Sequence, residues 1–270
     1  MTENVPAMPH NDDLTAELSE LCIELAVEAA STAASGRSHQ PTFTSATKSS
    51  ATDLVTPFDQ AAERFIRAQL SAQRPNDGII GEEESDLTGT SGLTWIVDPI
   101  DGTTNFVFGL PAWGCSIAVA RDDQLLAGAI HIPALSETYS ATSGQGARCN
   151  GSVIAASATS SFETALIATG FSYHPHRRAQ QGATVARLLP HVRDIRRSGS
   201  AAYDLCCVAA GTVDAYYEEG LSLWDIAAGA LIAREAGARV EYSPSGARTD
   251  IAVIASSPDI FESLRSVVDD

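Results

Sequence analysis

Apolar residues recur at Leu14, Leu18, Leu21, Leu25 and Ala29, a three-and-four spacing that predicts an amphipathic helix from Asp13 to about Ala34. Residues 35–52 are rich in Ser, Thr and small residues without a period, and read as a long loop. Thr56-Pro57 opens a second helix, with Thr as N-cap and Pro in the first turn. Its apolar face is Phe58, Ala62, Phe65, Ile66 and Leu70, and Pro75 closes it. Short apolar runs follow at residues 79–80, 95–97, 113–120, 125–132 and 138–141, divided by turn residues, and predict a meander of strands. Further on, strands at 165–169 and 251–255 alternate with helices at 179–189, 200–210, 224–236 and 258–268. Gly211 and Gly237 stop two of those helices. The order predicts layered sheets and helices, α+β in the first part (about 12–150) and α/β in the second (about 151–270). Residues 1–11 read as a loose polar tail before a single domain over 12–270, since no repeat or linker divides the chain.

Charge narrows the partners. The 270 residues carry 17 Lys+Arg against 34 Asp+Glu, a formal charge of −17. Such acidity argues against a nucleic-acid binder or a membrane-surface protein and makes divalent cations the first ligands to consider. The start lacks a basic, apolar leader and no run reaches bilayer length, so a cytoplasmic location is expected. Cys22, Cys115, Cys149, Cys206 and Cys207 follow no framework spacing, and read as free thiols.

Three segments place carboxylates just after apolar runs: Gly81-Glu82-Glu83-Glu84, Asp98-Pro99-Ile100-Asp101-Gly102-Thr103-Thr104, and Trp224-Asp225 at a helix start. Converging carboxylates repel one another, and a hard cation such as Mg²⁺ relieves that repulsion. In the second segment Gly102 removes bulk where an anion would approach, and the N–H groups of residues 102–104 open a short helix suited to phosphate. Metal ligands and a phosphate cradle side by side suit metal-assisted phosphoryl transfer to water. Each segment alone has a plainer reading. Asp98 and Asp101 are turn residues, residues 82–84 a solvated acidic turn, and Asp225 a carboxylate complementing a helix dipole.

Four blocks, in order, resemble the inositol monophosphatase family: K-S-S-A-T-D-L-V-T-P-F-D (48–59), G-E-E (81–83), W-I-V-D-P-I-D-G-T-T-N-F (95–106) and W-D-I-A-A-G-A-L-I-A-R-E-A-G-A (224–238). A weaker fifth match is Gly199-Ser200-Ala201-Ala202. The resemblance implies the layered αβαβα sandwich shared with fructose-1,6-bisphosphatases, a homodimer, and a Mg²⁺-dependent, Li⁺-sensitive phosphomonoesterase using two to three ions. It implies that Glu82, Asp98 and the Ile100 carbonyl hold the tightest ion, with Asp98, Asp101 and Asp225 sharing a second. A third, weaker ion would also touch Glu82, with Lys48 on the loop beside it. Gly102 and Thr103 would bind phosphate, and Asp53 would accept from the Thr103 hydroxyl, which orients the attacking water. For Asp59, three places after Thr56, capping is the expected role. Glu218, Gly199, Ser200 and Ala201 would contact the leaving alcohol. Ala51 stands where many relatives have Pro, and Ser222 where animal enzymes have His. The expected substrate is an inositol monophosphate, a small phosphorylated polyol. A phosphorylated amino alcohol (histidinol phosphate) or fructose 1,6-bisphosphate is the alternative within the fold. A non-catalytic interaction module, as some bacterial members are, is the reading from another class. The intact carboxylate set speaks against that last reading.

Overall fold

The computed structural model describes residues 11–40, 44–48, 52–243 and 248–269. The first helix, α1 (Asn11–His39), buries Leu18, Leu21, Cys22, Leu25, Ala26, Ala29, Ala30 and Ala33 along one face. It runs five residues beyond the expected end at Ala34. Tertiary contacts hold this apolar-poor last turn: Arg37 Nε donates to the Phe106 carbonyl at 2.6 Å, and Gly36 leaves room for the Phe58 ring. The expected loop is therefore shorter, and β1 (Ala46–Thr47) within it pairs antiparallel with β2 (Leu54–Val55) just beyond it. The predicted tail lies outside the described residues except for Asn11, which is helical, and Ala51 also lies outside them.

Helix α2 (Pro57–Gln73) starts at the Thr56 N-cap, as its sequence predicts. Next come β3 (Gly78–Gly81), β4 (Leu93–Asp101), the short helix α3 (Thr103–Phe108), β5 (Gly114–Arg121), β6 (Gln124–Ile132), β7 (Glu137–Thr142), β8 (Ala147–Cys149) and β9 (Ser152–Ile154). These strands form one seven-stranded sheet in chain order, β3 parallel to β4 and the rest an antiparallel meander. The second half gives β10 (Leu166–Thr169), α4 (Pro175–Leu188), β11 (Asp194–Arg196), α5 (Ala201–Ala209), β12 (Ala215–Leu221), α6 (Leu223–Glu235), β13 (Arg239–Ser243), β14 (Ile251–Ser256) and α7 (Phe261–Val268). Its five strands order as β11-β10-β12-β14-β13, with β10 parallel to both neighbours.

Five layers result. Helices α1 and α2 cover one face of the large sheet, α5 and α6 fill the space between the sheets, and α4 and α7 close the small sheet's far side. The middle layer explains why α6 reads as apolar all round: residues 226–233 are buried, with a sheet on either side. Its small residues permit close approach, Gly128 of β6 lying against Ala228 and Gly229 against Leu205. The large sheet is covered on both faces, so β5 is buried almost end to end instead of alternating. Four cysteines are buried, Cys149 is partly so, and all five are free thiols. No helix among the described residues is long and apolar enough to cross a membrane.

Candidate active site

The C-terminal end of β4 carries the centre of the site. Pro99 interrupts the pairing with β5 between Asp98 and Asp101, and Asp98 Oδ1 accepts the Ile100 N–H at 3.0 Å. Both aspartates thus turn to one side within a single strand end. Asp225 joins them from the first turn of α6, where its Oδ2 accepts the Ser222 N–H at 2.6 Å. Ser222 is the N-cap of that helix. One oxygen from each of Asp98, Asp101 and Asp225 lies within 4.8 Å of the other two. The capping reading of Asp225 and its place in the cluster both hold, because a carboxylate has two oxygens.

Glu82, just beyond β3, stands against Asp98 at hydrogen-bonding distance and meets the Lys48 ammonium at 2.8 Å. Lys48 also pairs with Glu83. Burial first, then the charges of Glu82, Asp101 and Asp225, raises the Asp98 carboxyl well above the ordinary aspartate range. Burial likewise pushes Asp101 up to about 6 and Asp225 well up. Buried carboxylates this close cannot all ionise without a counter-charge, and every donor here is a hard oxygen. The set suits Mg²⁺.

Gly102 follows with φ +88°, and a Cβ there would sit 3.0 Å from the Ala112 carbonyl. Only glycine takes that backbone readily. It starts α3, whose first turn closes through the Phe106 N–H on the Gly102 carbonyl at 3.0 Å. Across the site, the N-terminus of α5 grips Asp101: the Ser200 hydroxyl donates to its Oδ2 at 2.5 Å and the Ala202 N–H at 2.7 Å. The Gly102 and Ala201 N–H groups also turn to this carboxylate. Ser200 therefore holds a carboxylate of the cluster and caps α5 through the Tyr203 N–H at 3.1 Å.

One expected contact is corrected. The Thr103 hydroxyl lies 3.1 Å from Asp59 Oδ1 and 3.1 Å from the Ile100 carbonyl, so its acidic partner is Asp59, not Asp53. Asp59 also completes the α2 capping box, its Oδ2 accepting the Thr56 N–H at 2.8 Å and the Thr56 hydroxyl at 2.5 Å. One oxygen caps while the other reaches the site. Burial pushes Asp59 up to about 6, against the lowering effect of the Thr56 bonds. Asp53 lines the cavity, and its carbonyl accepts the Lys48 N–H at 2.9 Å.

These groups open into a cavity of about 410 Å³, whose far wall includes Gly199, Ser200, Ala201, Glu218 and Tyr173. Glu218 sits on β12, a strand the sequence pattern did not reveal. The Tyr216 hydroxyl donates to Glu218 Oε2 at 2.7 Å, and Gly170 lets the carboxylate lie against the backbone. Burial pushes Glu218 up to about 7. Two further residues went unnoticed in the sequence. Asn105 Nδ2 donates to the Ala112 carbonyl at 2.5 Å and the Ser198 carbonyl at 2.8 Å, tying α3 to the segment before α5. Glu63, fully buried on α2, accepts the N–H groups of Glu83 at 2.7 Å and Glu84 at 3.1 Å and so fixes the turn that presents Glu82.

The chain is similar to known proteins over most of their length. The inositol-1-monophosphatase SuhB of Mycobacterium tuberculosis (strain H37Rv) is 45% identical over 227 residues, covering 80% of this chain and 78% of that protein. Nus factor SuhB of Escherichia coli K12 is 37% identical over 232 residues, covering 83% of this chain and 85% of that protein. The crystal structure of the extragenic suppressor protein suhB from Bartonella henselae superposes with a TM-score of 0.86 at 32% identity, over 93% of this chain and 98% of that one. The family model described as the inositol monophosphatase family matches residues 14–264, through every segment that builds the cavity, and the chain belongs to that family.

Proposed function

We propose that the protein is a Mg²⁺-dependent phosphoric monoester hydrolase that converts inositol monophosphate to inositol and phosphate. The carboxylate cluster carries this reading: Asp98, Asp101 and Asp225 offer three mutually close oxygens, with Glu82 beside them. Glu82, Asp98, Asp101, Asp225 and the Ile100 carbonyl would hold two to three Mg²⁺ ions. Bound there, Mg²⁺ supplies Lewis-acid stabilisation of the phosphoryl oxygens and makes a water more acidic.

The chain's own groups supply the rest. The Thr103 hydroxyl accepts a hydrogen bond from the attacking water and passes its proton towards Asp59, the general base of the pair. The Thr103 N–H binds a phosphate oxygen, joined by the Gly102 N–H once Asp101 is committed to a cation. Ser200 and the first N–H groups of α5 keep Asp101 in place. Glu218 accepts from hydroxyls of the departing polyol, orienting it without joining the chemistry. Family resemblance adds Li⁺ inhibition, a homodimer and a cytoplasmic location to the reading.

A role as an interaction module, suggested by the name of the E. coli relative, has no need of four acidic ligands around one cavity. Phosphate release from inositol 1-phosphate by the purified protein tests the assignment. Turnover should need Mg²⁺, stop in excess chelator and fall with Li⁺. Full activity in chelator, or none in Mg²⁺ on any of a panel of small phosphate esters, overturns it.

A further inference from the structure

Two neighbouring strands of the small sheet part where they reach the cavity. β10 and β12 pair in parallel only as far as Thr169 with Tyr217, and the Thr169 hydroxyl donates to the Tyr217 carbonyl at 2.7 Å. Just beyond, the Glu218 carboxylate lies against Gly170, where a Cβ would overlap it, and the ladder does not resume. On its other edge β12 shifts register against β14 between Glu218 and Leu221. Phe171, Ser172 and Tyr173 on one branch of the fork, and Glu218, Glu219 and Gly220 on the other, line the cavity. Backbone groups at such a fork lose their ladder partners, and buried ones need others. Gln181, on α4 and only 4% exposed, meets one from each branch. Its Oε1 accepts the Ser172 N–H at 2.8 Å, and its Nε2 donates to the Glu219 carbonyl at 3.1 Å. A primary amide carries a peptide group's donor and acceptor, so this side chain continues the ladder across the gap. The other buried residues of α4 are Thr184 and Leu188, and packing alone gives no reason for an amide beside them.

We propose that Gln181 is a positioning residue for the leaving alcohol: it ties the segment of Tyr173 to that of Glu218, fixes the width of the fork, and so sets where the Glu218 carboxylate meets the alcohol's hydroxyls. The proposal rests on the phosphatase reading above. Both hydrogen bonds of Gln181 end on backbone of the alcohol side, so it acts through the two strand ends and not through the ion-holding carboxylates. Its effect belongs to the orientation of the alcohol, where small displacements weigh most.

Gln181→Met keeps the length of the side chain and removes both hydrogen bonds. Steady-state assays with Mg²⁺ compare inositol 1-phosphate with 4-nitrophenyl phosphate, whose leaving group has no hydroxyl for Glu218. The ratio of the two kcat/KM values should fall about tenfold, mainly through a higher KM for inositol 1-phosphate. An equal loss on both esters, or a fall in kcat with KM unchanged, overturns the proposal, since a merely loosened fold does not discriminate between alcohols. Hydrogen–deuterium exchange needs no turnover. Faster exchange confined to residues 170–174 and 218–221 supports the bridge, and wild-type exchange in both segments, or faster exchange throughout the chain, overturns it. If Gln181→Met does not fold, Gln181→Glu, which keeps the acceptor for Ser172, should show the same changes at a smaller size, and no change in it overturns the proposal. If wild type hydrolyses neither ester, the phosphatase reading fails, and the exchange measurement still decides whether Gln181 holds the fork.

Discussion

Asp59 does with two oxygens what the sequence assigns to two residues. Its place three residues after Thr56 announces a capping box, and the structure confirms one. Spacing along a helix says nothing of which strand end lies opposite, so the contact with Thr103 was not legible. Asp53, nearer the cavity in sequence order, was the natural but mistaken choice. Asp59→Asn should therefore cut kcat by about 10²–10⁴, the usual contribution of a general base, while Asp53→Asn should cost far less. Phosphate-release assays on the two variants decide between them, and a larger loss at Asp53 would reverse the assignment. Acid inhibition offers a second check. The base works when ionised, and burial, opposed by the Thr56 hydrogen bonds, raises Asp59 to about 6. A cation bound close by only lowers that value, so the acid limb of kcat/KM should lie at or below pH 6.

Among the elements, the short helix α3 shows how local backbone decides chemistry. The Gly102-Thr103-Thr104 segment was recognisable because a glycine before small hydroxylated residues is an anion-binding pattern, and the left-handed φ of +88° at Gly102 agrees. Gly102→Ala forces a Cβ into that conformation and towards the Ala112 carbonyl at 3.0 Å. The strain should cost about 1–2 kcal/mol in urea unfolding, and activity should fall further than stability explains because the α3 N–H groups shift. An Ala variant with wild-type stability and turnover would remove the reason for glycine here. Helix α2, through its clear period, and the meander strands, as apolar runs between turn residues, were readable in the same way. The strand β12 was not. Ala215-Tyr216-Tyr217-Glu218-Glu219 has no alternation, because it lies between two strands and under helices on both faces, so burial follows the sheet's position and not the residue order. The last turn of α1 was missed for a related reason, since Arg37 is held by α3, 69 residues away in sequence, and not by its own helix.

Across the whole molecule, the acidic cluster sets the stability of the metal-free protein. Burial and mutual repulsion raise Asp98, Asp101 and Asp225, so the folded chain holds protons that the unfolded chain releases above pH about 4. A group with a raised folded pKa stabilises the fold at low pH and loses that contribution as pH climbs through the folded value. Metal-free protein should thus lose stability between pH about 4 and the raised values, with Asp101 at about 6 marking part of the window. Asp98→Asn removes one of the charges. In chelator at pH 7.5 its Tm should exceed that of wild type, the gap should narrow at pH 5, and added Mg²⁺ should raise the Tm of wild type more than that of the variant. A variant less stable than wild type in chelator at both pH values would show that Asp98 supports the fold in its own right.

The two sheets also divide the labour. Glu82, Asp98, Asp101 and Thr103 stand on or beside β3, β4 and α3, whereas Glu218 and Tyr173 belong to the second sheet and its loops. Reactivity and choice of alcohol thus descend largely from separate stretches of the chain, joined by the buried middle helices, of which α6 adds Asp225 to the ion-holding set. Mutations can accumulate around β12 and the segment before α4 without disturbing the ion-holding carboxylates of the large sheet. Such a layout allows one hydrolytic engine to be refitted for new alcohols by drift in half of the gene.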